Sequence, residues 1–165
     1  MGQLNTKSLS KCTVPETSKE YYLTAITALN IFSEEGTGDW HFVSKFIDKP
    51  DFIPRKTVAG IDTCSTNEIL GDTGIFDAYS ALIKAGVQPT TNQVYAADHY
   101  RATADLLFDS IKKGYDIERS IFLDDWLPEP QEKERLFSLT DQFRDVLTEK
   151  EYQRLELWKT INCKG

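Results

Sequence analysis

Apolar residues recur every three or four positions along most of this chain, and glycine, proline or short polar clusters separate the runs. Thr17-Ser18-Lys19-Glu20 spells a capping box, with Pro15 just upstream. Tyr22, Ala25, Ile26, Leu29 and Phe32 follow at helical spacing, which predicts a helix running to about Ser33 and stopping at Gly36. Asp39 can cap a short second helix with Trp40, Val43, Phe46 and Ile47 as its apolar stripe. Pro50 and Pro54 then break the regularity. Thr57–Ile61 reads as a short strand. Asp72 or Thr73 is placed to cap a third helix through Phe76, Tyr79, Leu82 and Ile83, which Lys84-Ala85-Gly86 would end.

Thr90-Thr91-Asn92-Gln93 repeats the capping-box spelling, and a long helix with Val94, Ala97, Arg101, Ala104, Phe108 and Ile111 on one face is expected up to Gly114. Ser120–Leu123 reads as a second short strand. Pro128 and Pro130 introduce a helix carrying Leu136, Leu139, Phe143 and Val146. Thr148-Glu149-Lys150-Glu151 starts a last one lined by Tyr152, Leu155, Trp158 and Ile161. The expected fold is therefore mainly α. It is a single compact helical domain of five or six helices over 15–165, with at most a small two-stranded β element and a C-terminal antiparallel helix pair. Residues 1–14 are polar and aperiodic and read as a flexible lead-in.

Charge narrows the classes of partner. The 165 residues hold 19 basic and 26 acidic side chains, a formal net charge of −7. Phosphate repels such a chain, and no Lys/Arg cluster larger than Lys112-Lys113 is written in it, so nucleic acid is not an expected partner. A basic protein or cationic ligand suits the charge better. No apolar run approaches the length of a membrane span, and the N-terminal residues lack the apolar centre of a secretion signal. Cys12, Cys64 and Cys163 are odd in number and widely spaced, which fits free thiols in a cytoplasmic setting.

Several constellations offer chemistry. Glu34, Glu35, Asp39 and His41, with Trp40 between the last two, can gather a divalent metal or supply a base and its orienter. Capping by Asp39 and core anchoring by Trp40 explain the same residues. Gly71-Asp72-Thr73-Gly74 can present backbone N–H groups to a ligand through Asp72 and Thr73, or simply cap a helix. It matches no phosphate-loop motif. Asp98 and Asp105 lie three before and four after Arg101 on one side of a helix. That spacing suits a structural ion network, or an arginine held by two acids for an anionic group with His99 facing the same cleft. Asp124-Asp125 supplies too few ligands for a metal, and nothing beside Cys64 in sequence lowers its pKa.

The wording of 24–41, with Gly71-Asp72-Thr73-Gly74 and Ala97–Ala102, resembles small bacterial proteins, and the resemblance implies no activity or site. The residues themselves favour a small acidic interaction module, an antitoxin-like neutraliser of a basic partner, docking through Tyr152, Leu155 and Trp158. A homo-oligomer is compatible with this reading, and no cofactor is expected under it. The alternative is a metal-dependent hydrolase or other small-molecule enzyme. Its cleft would be built from Asp39, His41, Asp72, Asp98, His99 and Arg101, with a divalent metal.

Overall fold

A hydroxyl decides how the N-terminal part folds. In the computed structural model, which describes residues 8–32 and 42–163, Ser18 Oγ accepts the backbone N–H groups of Glu20 and Tyr21 at 3.2 and 3.0 Å. The Ser18 N–H donates to the Tyr21 carbonyl at 2.8 Å, so this capping-box spelling closes a tight turn and starts no helix. The chain leaves it extended. Leu23 bridges Val58 antiparallel on one side and Ala96 parallel on the other. Its N–H reaches the Tyr95 carbonyl at 2.9 Å and its carbonyl takes the Ala97 N–H at 2.8 Å, while Ala59 and Thr24 complete the other edge.

The expected helix from residue 17 thus shrinks to α1, Ala25–Leu29. Tyr22, Leu23 and Thr24 are buried on both faces, and sheet pairing satisfies their backbone better than a half-buried helix would. Ala25 makes the switch from strand to helix in one residue, at φ +53°. An L-residue adopts that region at a cost of about 1–2 kcal/mol.

Strand β1, Ser10–Cys12, pairs in parallel with β3, Val87–Pro89, so residues expected in a flexible lead-in are part of the fold and bury Cys12 and Val14. Strand β2, Ile75–Asp77, pairs antiparallel with β4, Tyr95–Ala97, with Phe76 opposite Ala96. The described residues therefore hold two two-stranded sheets, where at most one was expected. Bridged through Leu23, the segments around residues 58, 23, 96 and 76 lie side by side. Between the pairs come α2, Asn67–Leu70, and α3, Tyr79–Lys84, each short. The third expected helix begins later than its sequence suggests because Phe76 belongs to β2. Val43–Lys45 is a single 3-10 turn.

Helix α4, His99–Lys112, starts after β4, and its cap is Asp98, whose Oδ1 accepts the Arg101 N–H at 2.8 Å. The Thr90 spelling caps nothing, because residues 95–97 are drawn into the sheet. Next come α5, Ile117–Ser120, where a strand was expected just beyond, and α6, Pro130–Asp141, entered by a capping box between Glu129 and Glu132. Helix α7, Glu149–Cys163, begins at the Thr148–Glu151 box, with both reciprocal bonds made at 2.9 and 3.2 Å.

Helix α4 is enclosed almost all round, between the strands and the C-terminal helices. Leu107, Phe108 and Ile111 meet Leu136, Phe143, Leu155 and Trp158 in one core, with the Phe108 and Phe143 rings 4.9 Å apart. Each such side chain contributes about 1.5–3 kcal/mol by leaving water. Phe137 meets Trp158 edge-on where α6 and α7 touch, and both helices also lean on α4. The structure is rich in helix, and among the described residues no helix is long and apolar enough to cross a membrane.

Candidate functional site

Because α4 is enclosed, its polar residues must find partners inside the protein. Arg101, with no exposed surface, does so completely. Its Nε–H donates to Asp105 Oδ1 at 3.1 Å. Nη1 donates to the carbonyls of Gly71 and Thr73 at 2.9 and 2.8 Å, and Nη2 to Thr66 Oγ1 and Asn67 Oδ1, both at 3.0 Å. A guanidinium has five N–H donors, and all five are used. Asp105 also accepts from Tyr22 Oη at 2.6 Å, Thr24 Oγ1 at 2.8 Å and Thr66 Oγ1 at 2.6 Å. Burial, with the Asp105 carboxylate beside it, pushes the Tyr22 phenol well above its ordinary value.

This network ties the extended segment 22–24, the residue-66 turn and the Gly71–Gly74 turn to α4. Gly74 permits the approach: at φ +76°, a Cβ there would lie 2.8 Å from Asp98 Oδ1 and 2.9 Å from Arg101 Cβ. No donor of Arg101 is left for an anionic ligand, and Asp98 meets Arg101 through its backbone N–H.

The remaining candidates fall in different places. His99 is buried and its Nε2–H donates to the Ile31 carbonyl at 2.8 Å. Asp98 lines a cavity of about 190 Å³ with Thr73, Gly74, Tyr100, Arg135 and Ser138. There the Arg135 guanidinium stacks 4.1 Å from the Tyr100 ring centre and comes within 3.9 Å of the Asp98 carboxylate. Asp72 is exposed and faces Lys19 at 3.6 Å, while Thr73 contributes its carbonyl to Arg101. Asp39, Trp40 and His41, with Glu34 and Glu35, lie outside the described residues.

Asp124 is bonded by Lys133 Nζ at 2.6 Å. Burial, reinforced by Asp109, pushes the Cys64 thiol up and away from reactivity. Among the described residues no three His, Cys, Asp or Glu side chains gather as a metal site would require.

The aromatic face of α7 turns inward. Leu155 and Trp158 are fully buried, and Trp158 Nε1–H donates to the Ile121 carbonyl at 2.9 Å. Tyr152 is half-buried against the same core. Leu155 and Trp158 therefore offer no surface to a partner. Ile161, expected in that row, is 50% exposed and Leu157 is 55% exposed. They form a second apolar row, which the richer inner row conceals in the sequence. Phe122, 53% exposed, sits beside the last turn of α7, where the Leu123 N–H donates to Asn162 Oδ1 at 3.1 Å.

In comparisons with known proteins the chain matches no family model, no curated protein and no solved structure.

Proposed function

We propose that this chain is a small protein-interaction module that docks through the outer face of α7. One observation carries the reading: α7 has two apolar rows, and only the inner one is used by the fold. Leu157 and Ile161 keep about half their surface in water, next to an exposed Phe122. An apolar patch on a helix of a small protein is costly to keep exposed and marks an interaction surface. The net charge of −7 would draw a basic partner over distance, as an antitoxin-like neutraliser would. To test this, the tagged chain is expressed in its native host and retrieved at physiological salt. A specific partner should be recovered, and Leu157→Ser with Ile161→Ser should lose it. Recovery of no partner, or equal recovery by the variant, sinks the reading. Solution mass of both forms separates a second copy from a foreign partner.

A second reading, an enzyme using Asp39, His41, Asp72, Asp98 and His99 with a divalent metal, has one observation in its favour. The His99 ring bonds the Ile31 carbonyl at the first turn of α4, and the Phe42 N–H donates to Asn30 Oδ1 at 3.3 Å beside it. Asp98 opens onto its cavity at that same turn. Arg101 would be a positioning residue there. Metal analysis of the purified chain and of a His41→Ala variant decides it: equal metal content in the two, or none in either, removes the reading.

A further inference from the structure

Lys150, Arg154, Leu157 and Ile161 are separated by four, three and four residues, so on a 3.6-residue turn they form one straight row along α7. The row has two chemistries. Its C-terminal half is the apolar pair already described, continued sideways by Phe122. Its N-terminal half is cationic. Lys150 and Arg154 line a cleft of about 520 Å³ with Lys112 and Lys113 from the end of α4, and Glu151 is the one acid among the lining residues.

The chain is anionic overall, so this gathering of four cations runs against its composition. The sequence shows only a Lys-Lys pair, because the other two cations arrive from a helix almost forty residues on. Three of the four are engaged: Lys112 with Glu151 at 3.1 Å, Lys113 with Asp109 at 2.8 Å, and Arg154 with the Tyr115 carbonyl and, at 4.0 Å, with Glu118. Lys150 makes no hydrogen bond or ion pair among the described residues. A cation without a partner therefore stands in line with two apolar side chains without a cover.

We infer that this row receives an acidic–apolar amphipathic segment of a partner protein, with carboxylates over Lys150 and the cleft and apolar side chains on Leu157, Ile161 and Phe122. The inference rests on the interaction-module reading and adds the chemistry of the docking segment. A basic segment would set like charge against the unpaired Lys150. A helical segment suits the site because its own residues repeat at the spacing of the row. A partner that is basic as a whole still docks this way if one of its segments carries the opposite sign.

The test is selection of random peptides of roughly 16 residues from a display library on the intact chain, followed by anisotropy titration of the enriched sequences. The expected sequences carry Asp or Glu at one end and Leu, Ile or Phe at helical spacing. Leu157→Ser with Ile161→Ser should weaken their binding by about tenfold or more. Lys150→Glu should weaken it and flatten its salt dependence. These side chains are exposed, so circular dichroism and the thermal midpoint should not move. Enrichment of basic peptides, no enrichment, or binding indifferent to both variants overturns the inference. Loss of the native partner on Leu157→Ser/Ile161→Ser, combined with enrichment of basic peptides, leaves the module reading standing and removes only this one. Acidic peptides bound at the row, with a native partner indifferent to those substitutions, do the reverse.

Discussion

Arg101 and Asp105 sit one turn apart on α4, both sealed from solvent, and join the Arg101 Nε–H to Asp105 Oδ1 at 3.1 Å. Between them they hydrogen-bond to three other parts of the chain, at residues 22–24, 66–67 and 71–73. Replacing Arg101 by Met would strand the Gly71 and Thr73 carbonyls and leave Asp105 buried without its counter-charge. Breaking one side of a buried pair costs about 3–5 kcal/mol. Urea unfolding at neutral pH should show a loss of that size. Asp105→Asn should also destabilise, because an amide cannot accept at every position the carboxylate does.

Tyr22 gives this network a signature in alkali. Its phenol is held protonated in the folded protein above the value it has in the unfolded chain, through burial first and Asp105 second. A raised folded value stabilises fully below the unfolded value of about 10 and is lost as pH rises beyond it. The unfolding midpoint of the natural chain should therefore fall above about pH 10. Tyr22→Phe should be less stable by about 1–3 kcal/mol near neutrality, from the lost bond to Asp105, and flatter in alkali.

Two glycines with similar backbone should respond differently to alanine. Gly74 and Gly86 have φ of +76° and +87°, but only at Gly74 would the new methyl meet atoms, Asp98 Oδ1 and Arg101 Cβ. Gly86→Ala carries the backbone penalty alone, about 1 kcal/mol. Gly74→Ala should cost clearly more, and thermal melts of the two variants give the comparison.

In acid, Glu151 should be felt. The Thr148 backbone N–H and then Lys112 hold its carboxyl below the ordinary range, against the opposing effect of burial. A lowered folded value stabilises above the unfolded value of about 4.3, and that contribution disappears as pH falls through the folded one. Glu151→Gln should therefore show a shallower decline in thermal midpoint below about pH 4 than the natural chain.

The two rows of α7 separate in stability measurements on the isolated chain. Leu155→Ala should cost about 2–5 kcal/mol, since the cavity cannot collapse among its buried neighbours. Leu157→Ser should stay within about 0.5 kcal/mol of the natural chain, because solvent already reaches it.

Features made of neighbouring residues were readable in advance. The Thr148–Glu151 box is closed by its own side chains, and Gly86 and Gly114 end helices through a backbone conformation they need no distant help to adopt. Thr17–Glu20 and Thr90–Gln93 have equally good spelling but are overridden by sheet pairing with residues far along the chain. The Arg101–Asp105 spacing was visible. Most of its acceptors were not, because the carbonyls of Gly71 and Thr73 are backbone atoms with no sequence signature. On α7 the outer row was present in the spacing but overshadowed by Leu155 and Trp158, and the cationic cleft needed the end of α4 brought alongside.

The position of Leu23 has a consequence for how the chain assembles. Its two neighbours are Val58 and Ala96, both made later in synthesis. Leu23 can therefore pair along one edge once residues 57–59 are made, while its other edge waits until residues 95–97 have emerged. Such long-range closure slows folding and leaves apolar strand edges open meanwhile. A nascent chain halted between residues 60 and 95 would hold a half-made sheet with its central strand bare on one side, the species a chaperone would be expected to hold.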